Sequence, residues 1–309
     1  MLLATAVFHA FASVAALPLA RTPMSASRLL TTSVTEHSRN PSLAPLTWLR
    51  REAVFAYDTT RYPFAPLARA ILEQHATGSA ALPSDLSDLH MVVAGIERFV
   101  DGSGNELNAL QARWNSNRCR LEDDPSSSMY GALDNVYHAF VKEVVGPMMG
   151  GGRIVYQRSP TIRIYTPSAE AMGKLHNDCA YHHQPSELNF WLPLCDVFAT
   201  NSLWVESEEN LGDFHPLTMP YGSYARFYGN KCRHLTFPND TGKTRVSLDF
   251  RAVSAASGGH DPNFRRGVRR GVKARFQNVF DVGGFYVECQ SEPLPATDFP
   301  WIGTDANTQ

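Results

Sequence analysis

From residue 153 onward, the chain consists of short runs of aromatic and β-branched residues separated by turn-forming residues. Such runs are typical of β-strands, in which successive side chains point to opposite faces of a sheet. Strands do not alternate with helices here, so a doubly wound α/β fold is disfavoured. The pattern predicts an all-β sandwich or barrel. The runs are RIVYQ (153–157), TIRIYT (161–166), LNFWLPL (188–194), SLWVES (202–207), YARFYG (224–229), RVSLDFRAV (245–253) and GGFYVEC (283–289).

The preceding region, from about residue 58 to 146, has helical periodicity. Its apolar residues recur three or four positions apart, which predicts three helices that each bury one face. The predicted faces are Phe64, Leu67, Ala68, Ile71 and Leu72; then Leu86, Leu89, Val93, Ile96 and Val100; then Leu133, Val136, Tyr137, Phe140, Val141 and Val144. We therefore predict a leader or disordered segment (1–50), a helical annex (51–150), a β core (151–290) and a C-terminal tail (291–309).

The first 35 residues contain no Asp or Glu and are rich in Ala, Ser, Thr and Leu. Their apolar part is similar to the core of a signal peptide but lacks a basic start, whereas the Ser, Thr and Arg residues that follow are typical of an organellar transit peptide. His9 and Pro18 interrupt the apolar part, so no membrane span is predicted. The expectation is a soluble protein, cytoplasmic or organellar.

The overall composition narrows the class of partner. The chain has 309 residues and a net charge of −2, so its global charge predicts no nucleic-acid partner. Its five cysteines are odd in number and form no CxxC pair, which argues against a disulfide framework. The basic segment 265–275 would suit a phosphate-bearing ligand, although a solvated loop explains it more simply. A small-molecule substrate is expected, and the oligomeric state is left open.

The segment KLHNDC, residues 174–179, contains the first chemical motif. If it is extended, His176 and Asp178 share one face of a strand. A histidine and a carboxylate suit a divalent metal, and His234, 56 residues beyond Asp178, is the best third ligand. Two histidines and one carboxylate form a facial triad that leaves coordination positions of Fe(II) open for a cosubstrate and O2.

A second motif, RVS, begins eleven residues after His234. Arg245 and Ser247 share a strand face, and a guanidinium with a hydroxyl group is suited to binding a carboxylate. This geometry fits 2-oxoglutarate, whose 2-oxo acid end chelates iron while its far carboxylate pairs with Arg245. Asp249 and Arg251 continue the same face and are predicted to pair with each other.

The ordered combination of KLHNDCAYHHQPSELNFWLPL, TNSLWVES and YGSYARFYGNKCRHLTFPNDTGKTRVSLDFRAV resembles the Fe(II)/2-oxoglutarate-dependent dioxygenases. The resemblance is to the phytanoyl-CoA-hydroxylase-like group and its streptomycin-biosynthesis-type relatives, and it covers roughly residues 153–255. It departs from the common pattern after WVES, where many relatives have Pro-Gly-Ser-His and this chain has SEENLGDFH.

The resemblance implies a double-stranded β-helix, also called a jelly roll, and an oxidation coupled to the decarboxylation of 2-oxoglutarate to succinate. It implies that the strand carrying Thr161 and Arg163 helps to hold 2-oxoglutarate, although a solvated ladder would look the same. Hydroxylation is favoured because Asp178 occupies the position that related halogenases leave vacant. Predicted substrate contacts are Tyr181, His182, Asn189 and Trp191.

Three alternatives stay open on the sequence. One is a metal-dependent, cupin-like isomerase or hydrolase that uses no O2. The second is a catalytically silent protein that binds 2-oxoglutarate or a metal. A zinc site built from Cys179, His182 and His176 is the third, although structural zinc usually takes four ligands in paired spacings.

Overall fold

The structure is a computed structural model that describes residues 45–75, 81–92, 98–100, 106–108, 110–112, 114, 129–262, 264 and 282–295. Most of the predicted leader, most of the tail and the basic segment 265–275 lie outside these residues. The helices are α1 (Pro45–Arg50), α2 (Phe64–His75), α3 (Met129–Phe140) and α4 (Gly146–Met148), with a π-helical turn at Val141–Val145 joining the last two.

The strands are β1 (Ala53–Ala56), β2 (Arg98–Val100), β3 (Glu106–Asn108), β4 (Gly152–Gln157), β5 (Thr161–Tyr165), β6 (Leu188–Pro193), β7 (Trp204–Val205), β8 (His215–Pro216), β9 (Ser223–Phe227), β10 (His234–Leu235), β11 (Arg245–Val253) and β12 (Tyr286–Ser291). Each of the seven predicted runs overlaps one of these strands. Paired strands are antiparallel throughout the part of the chain that the structure describes. The prediction of a mainly β protein with helices before the β region is confirmed.

A seven-stranded sheet forms the centre of the molecule, in the order β1-β9-β6-β11-β4-β12, and β5 also pairs with β11. A second sheet has three strands in the order β10-β7-β8, and β2 pairs with β3. Because β1 lies within the predicted annex and pairs with β9, annex and core share the large sheet. The domain boundaries remain predictions.

The two faces of the large sheet have different neighbours. Even-numbered residues such as Ile164, Phe190 and Phe250 are buried together with the helices. Phe140 of α3 lies with its ring centroid 5.3 Å from that of Tyr224, which fixes the helix against the sheet. Aromatic side chains in such contacts bury the largest apolar areas of a core. The odd-numbered residues of β5, β6, β9 and β11 point to the opposite face.

The first and third predicted helices are confirmed by α2 and α3, whose predicted faces are buried or packed against the core. The predicted second helix is wrong. Leu86–Met91 is a short 3-10 helix, and Arg98–Val100 is a strand, while residues 93–97 lie outside the described part. Val92 ends the 3-10 helix, and valine is a weak helix former, which disfavours continuation of a helix at this position.

The last six residues of the predicted leader are helical. They form α1, in which Trp48 and Leu49 are buried. Residues 1–44 lie outside the described part. No helix in the described ranges combines the length and apolar character needed to cross a membrane.

Candidate metal centre

A cavity of about 150 Å³ lies on the odd-numbered face of the large sheet. One water molecule needs roughly 10–15 Å³ of such a cavity, so the cavity is large enough for a small organic ligand. Trp191 of β6, Phe227 of β9 and Arg245 of β11 line it on the side of the large sheet, and His234 of β10 lines it on the side of the small sheet. Two sheets therefore contribute to one cavity.

His176 and His234 are held side by side by the backbone. The amide of His176 donates to the carbonyl of His234 at 3.1 Å, and the amide of His234 donates to the carbonyl of His176 at 2.8 Å. This antiparallel bridge brings the imidazole centroids within 4.3 Å of each other. The pair predicted from sequence is thus juxtaposed by a local β interaction.

Asp178 lies beside this pair but is not in a strand, so the prediction of an extended segment through residue 178 is wrong. A 3-10 helix spans Asp178–Tyr181, and the side chain of Asn177 accepts a hydrogen bond from the amide of Ala180 at its start. The amide of Asp178 donates to the carbonyl of Gly229 at 2.8 Å. An asparagine cap favours a helical turn over a continuing strand.

The three side chains converge all the same. Oδ1 of Asp178 lies 3.7 Å from Nε2 of His234 and 4.0 Å from Nε2 of His176. One ligand atom from each residue fits within 4.8 Å of the others. Two atoms bound at about 2.1 Å to the same divalent ion are separated by roughly 3 to 4 Å. These side chains can therefore hold one ion.

The hydrogen bonds of both imidazoles leave Nε2 available as a ligand. Nδ1 of His176 lies 2.6 Å from the carbonyl oxygen of Lys174, and Nδ1 of His234 lies 3.2 Å from that of Cys232. Because a carbonyl only accepts hydrogen bonds, each Nδ1 carries the proton in the neutral ring and each Nε2 presents a lone pair. Burial lowers the pKa of His234 to about 4, which keeps that ring neutral.

The two carboxylate oxygens of Asp178 differ in their hydrogen-bond partners. Oδ2 accepts hydrogen bonds from Nδ2 of Asn189 and from Nε of Arg251, both at 2.7 Å. Oδ1 is buried and has no donor among the described residues. Burial alone would raise the pKa of Asp178, but the charge of Arg251 holds it well below its usual range. A buried acceptor without a donor is the arrangement that a cation would complete.

The predicted pairing of Asp249 with Arg251 is wrong. Arg251 pairs with Asp178, and Asp249 accepts a hydrogen bond from Nε of Arg163 at 3.1 Å. Sequence reasoning missed the role of Arg251. The signal was present, because residues 245, 247, 249 and 251 share one face of β11, and Arg251 lines the same cavity as Arg245.

Arg245 is a buried guanidinium in the cavity wall. It donates from Nη1 to the carbonyl of Asn201 at 2.9 Å, and its Nε has no acceptor within the described ranges. Its Cζ lies 5.0 Å from the ring centroid of Tyr165 and 5.7 Å from that of Trp191. Burial lowers its pKa to about 10. A buried cation that forms no ion pair with any described residue is suited to an anionic ligand.

The other predicted site residues divide into two groups. Arg163, Asn189 and Trp191 line the cavity together with Arg245. Thr161, Ser247, Tyr181 and His182 are not among the residues that line it. Ser247 is buried, and its hydroxyl group has no partner within the described part, whereas Tyr181 is exposed and packs its ring at 5.1 Å from that of His176.

The zinc alternative finds no support in the geometry. Among the described residues, the group of His, Cys, Asp and Glu side chains close enough to share an ion is His176, Asp178 and His234. Cys179 is exposed, and His182 is exposed with a left-handed backbone at φ 63°. His183 is instead buried and bonded to Glu187 at 2.6 Å between Nδ1 and Oε2.

Glu206, which immediately precedes the segment that departs from the common pattern, connects that segment to the strand of His234. The buried carboxylate of Glu206 accepts hydrogen bonds from Nε of Arg233 at 3.0 Å and from the amide of Arg233 at 2.8 Å. It also accepts one from the amide of Gly212 at 2.8 Å. This loop is therefore tied to the residue next to His234.

Gly229 provides a test of how closely this centre is packed. A Cβ atom at this position would lie 2.7 Å from the side-chain amide of Asn189, which holds Asp178. We expect Gly229→Ala to displace Asn189 and weaken metal binding about tenfold, with about 1–3 kcal/mol lost from the free energy of unfolding. Calorimetric metal titration and thermal unfolding measure the two effects. Unchanged affinity in a folded variant would show that Asn189 does not orient Asp178.

No protein-family model matches the chain. The chain is 27% identical over 225 residues to the streptomycin biosynthesis protein StrG of Streptomyces griseus, an overlap that covers 73% of this chain and 95% of StrG.

Two crystal structures are similar at lower identity. One is the non-heme α-ketoglutarate-dependent carbocyclase SnoK from nogalamycin biosynthesis, with 12% identity, a TM-score of 0.41, and coverage of 84% of this chain and 99% of SnoK. The other is EvdO2 from Micromonospora carbonacea var. aurantiaca in complex with 2-oxoglutarate, with 11% identity, a TM-score of 0.37, and coverage of 73% and 94%. The predicted resemblance to streptomycin-biosynthesis-type proteins is confirmed by StrG.

Proposed function

We propose that this protein is an Fe(II)- and 2-oxoglutarate-dependent oxygenase built on a double-stranded β-helix, and that it oxidises a small metabolite with O2 while 2-oxoglutarate is converted to succinate and CO2. One observation carries the proposal. Oδ1 of Asp178, which has no donor among the described residues, and the Nε2 atoms of His176 and His234 converge beside a cavity. The wall of this cavity contains the guanidinium of Arg245, which forms no ion pair with any described residue.

The chain's own groups have distinct roles in this proposal. His176, Asp178 and His234 hold the ion, and three protein ligands leave the remaining positions of an octahedral shell open. Arg245 binds the far carboxylate of 2-oxoglutarate, and its flat guanidinium can donate two parallel hydrogen bonds to it. Bound iron with 2-oxoglutarate supplies the capacity to oxidise an unactivated substrate with O2. A catalytic zinc would leave Arg245 without a partner, which favours iron with 2-oxoglutarate.

The substrate is proposed to be a small polar molecule. Arg163 and Asp249 form a partly exposed ion pair in the cavity wall, with side-chain exposures of 44% and 23%. The two side chains contact each other through Nε of Arg163 and Oδ1 of Asp249. The other nitrogens of Arg163 and the second oxygen of Asp249 can therefore contact hydroxyl or amino groups of a substrate. StrG acts in the biosynthesis of streptomycin, and a role in the biosynthesis of a small polar metabolite is proposed here. Hydroxylation is the preferred oxidation.

The test is anaerobic binding followed by turnover. Adding Fe(II) and then 2-oxoglutarate without O2 is expected to produce a visible absorption band from charge transfer between iron and the chelating 2-oxo acid. Admission of air with ascorbate should then release succinate, slowly without a substrate and faster with one.

The rival functions give different results in the same experiment. An isomerase or hydrolase binds the metal but gives neither the band nor succinate. A catalytically silent protein that binds 2-oxoglutarate gives the visible absorption band. It consumes no O2 in an iron-dependent manner, whichever substrate of a broad panel is added. Either result would overturn the proposed activity.

A further inference from the structure

The cavity contains a second buried arginine, Arg251, which differs from Arg245 in having a carboxylate partner. Its Nε lies 2.7 Å from Oδ2 of Asp178 and 3.9 Å from Oε2 of Glu187. Both carboxylates are buried, with 1% of each residue exposed. One guanidinium therefore lies between two buried negative charges, and one of these belongs to the metal centre.

Arg251 is itself fixed by the strands around it. Its amide donates to Oε1 of Gln157 at 2.9 Å, and its Nη1 reaches the same oxygen at 3.3 Å. Glu187 is held in turn, because Oε1 accepts from the hydroxyl group of Tyr286 at 2.7 Å and Oε2 lies 2.6 Å from Nδ1 of His183. This network joins β4, β11 and β12 behind the metal centre. Its arginine has little freedom to move.

Asp178 is consequently held through one oxygen only. Asn189 and Arg251 both donate to Oδ2, and neither donates to Oδ1. A carboxylate oxygen that accepts two hydrogen bonds has both lone pairs engaged, so it cannot also bind a metal ion without losing at least one of these hydrogen bonds. Such outer partners of a metal ligand typically change metal affinity by about 10- to 100-fold when they are removed.

We propose that Arg251 is a positioning residue that, with Asn189, makes Asp178 bind the metal ion through Oδ1 alone. The inference rests on the proposed function in so far as His176, Asp178 and His234 are the ligands. When Asp178 binds through Oδ1 alone, the metal ion keeps one more open coordination position. A carboxylate bound through both oxygens would occupy that position. A chelating cosubstrate and O2 together need such open positions.

The fork shape of the guanidinium matters as well as its charge. Nε and Nη1 point to different partners, Asp178 and Gln157, as only a planar group with several donors can do from one side chain. A lysine would keep the positive charge but present it at a single nitrogen. Arg251→Lys therefore separates the effect of charge from that of orientation.

The experiment measures binding of Mn(II) alone to the full chain, by calorimetry and by the electron paramagnetic resonance spectrum of the bound ion. We expect Arg251→Gln to weaken binding about 10- to 100-fold and Arg251→Lys to weaken it less, with an altered spectrum in both. Arg226→Gln is the matched control for loss of a buried arginine. Arg226 lies on the helix-facing side of β9 and donates to the carbonyls of Trp48 and Arg51.

The controls keep the outcome informative if a variant is unstable. Arg226→Gln is expected to lose stability but bind Mn(II) as the wild type does, and the exposed Arg153→Gln should change neither. Unchanged Mn(II) affinity and spectrum in Arg251→Gln, or wild-type behaviour in Arg251→Lys, would overturn the positioning role. Because Mn(II) is measured without 2-oxoglutarate, a wild-type protein that binds Mn(II) but releases no succinate would contradict only the proposed function.

Discussion

Replacing Asp178 with asparagine is expected to cause a large loss of metal affinity while the protein stays folded. Arg251 and Asn189 both donate to one oxygen of Asp178, so the carbonyl oxygen of the new asparagine will take that position. Its NH2 group will then occupy the place of Oδ1 and point at the Nε2 atoms of the two histidines. A hydrogen-bond donor there repels a cation. We expect affinity to fall by more than about 100-fold, beyond the range for outer partners.

Anaerobic titration with Fe(II) or Mn(II) measures this loss, and thermal unfolding establishes that the variant is folded. Asp249→Asn is the matched control, because Asp249 lies in the same cavity but pairs with Arg163. Its metal affinity should equal that of the wild type. Alanine at 178 is a poorer test, since it leaves Arg251 without its partner, and breaking a buried pair costs about 3–5 kcal/mol. An Asp178→Asn protein that binds metal within tenfold of the wild type would contradict the ligand assignment.

Replacing Arg245 with methionine is expected to raise the concentration of 2-oxoglutarate needed for half-maximal succinate release by at least about 30-fold. Truncating one partner of a buried charge pair costs about 2–5 kcal/mol, and the lower end of this range corresponds to that factor. Methionine has a similar length and fills the space between Tyr165 and Trp191 without a charge. The measurement is succinate release against 2-oxoglutarate at saturating Fe(II).

Metal affinity separates this effect from general damage to the fold. Arg245 is not a proposed metal ligand, so its methionine variant should bind Mn(II) as tightly as the wild type. Lysine at this position keeps a positive charge without the two-pronged donor and should recover only part of the affinity for 2-oxoglutarate. If the methionine variant needs no more 2-oxoglutarate than the wild type, the carboxylate-binding role belongs to another residue.

Local patterns predicted much of the fold. Strands β4, β5, β6, β9, β11 and β12 each cover most of a predicted run, because period-two alternation responds to burial on a sheet face. Helices α2 and α3 were equally readable from their apolar faces. The prediction failed at residues 86–91 and 98–100, where a 3-10 helix and a strand occupy the ends of the predicted second helix. It failed again at Asp178, where the cap formed by Asn177 ended the extended segment.

Within the site, the sequence predicted the grouping of His176, Asp178 and His234 and the place of Arg245 in the cavity wall, but it did not predict the hydrogen-bond partners of these residues. Spacing and residue type indicated His176, Asp178 and His234, and the structure brings them together. The predicted pairing of Asp249 with Arg251 was wrong because each residue has a closer partner on another element. Asp249 pairs with Arg163 of β5, and Arg251 pairs with Asp178 of the 3-10 helix. The cavity lining includes Trp191 and Asn189 but not Tyr181 or His182.

The sequence by itself determined most of the strands and helices α2 and α3, because alternation and helical periodicity are properties of a few consecutive residues. Only the tertiary structure decided which polar atoms have partners. Asp178 and Arg251 are 73 residues apart, and their contact depends on the register of β11 against its neighbours. Hydrogen bonds of this kind act over about 3 Å, so no local pattern specifies them. The oxygen of Asp178 left without a donor is a consequence of that packing.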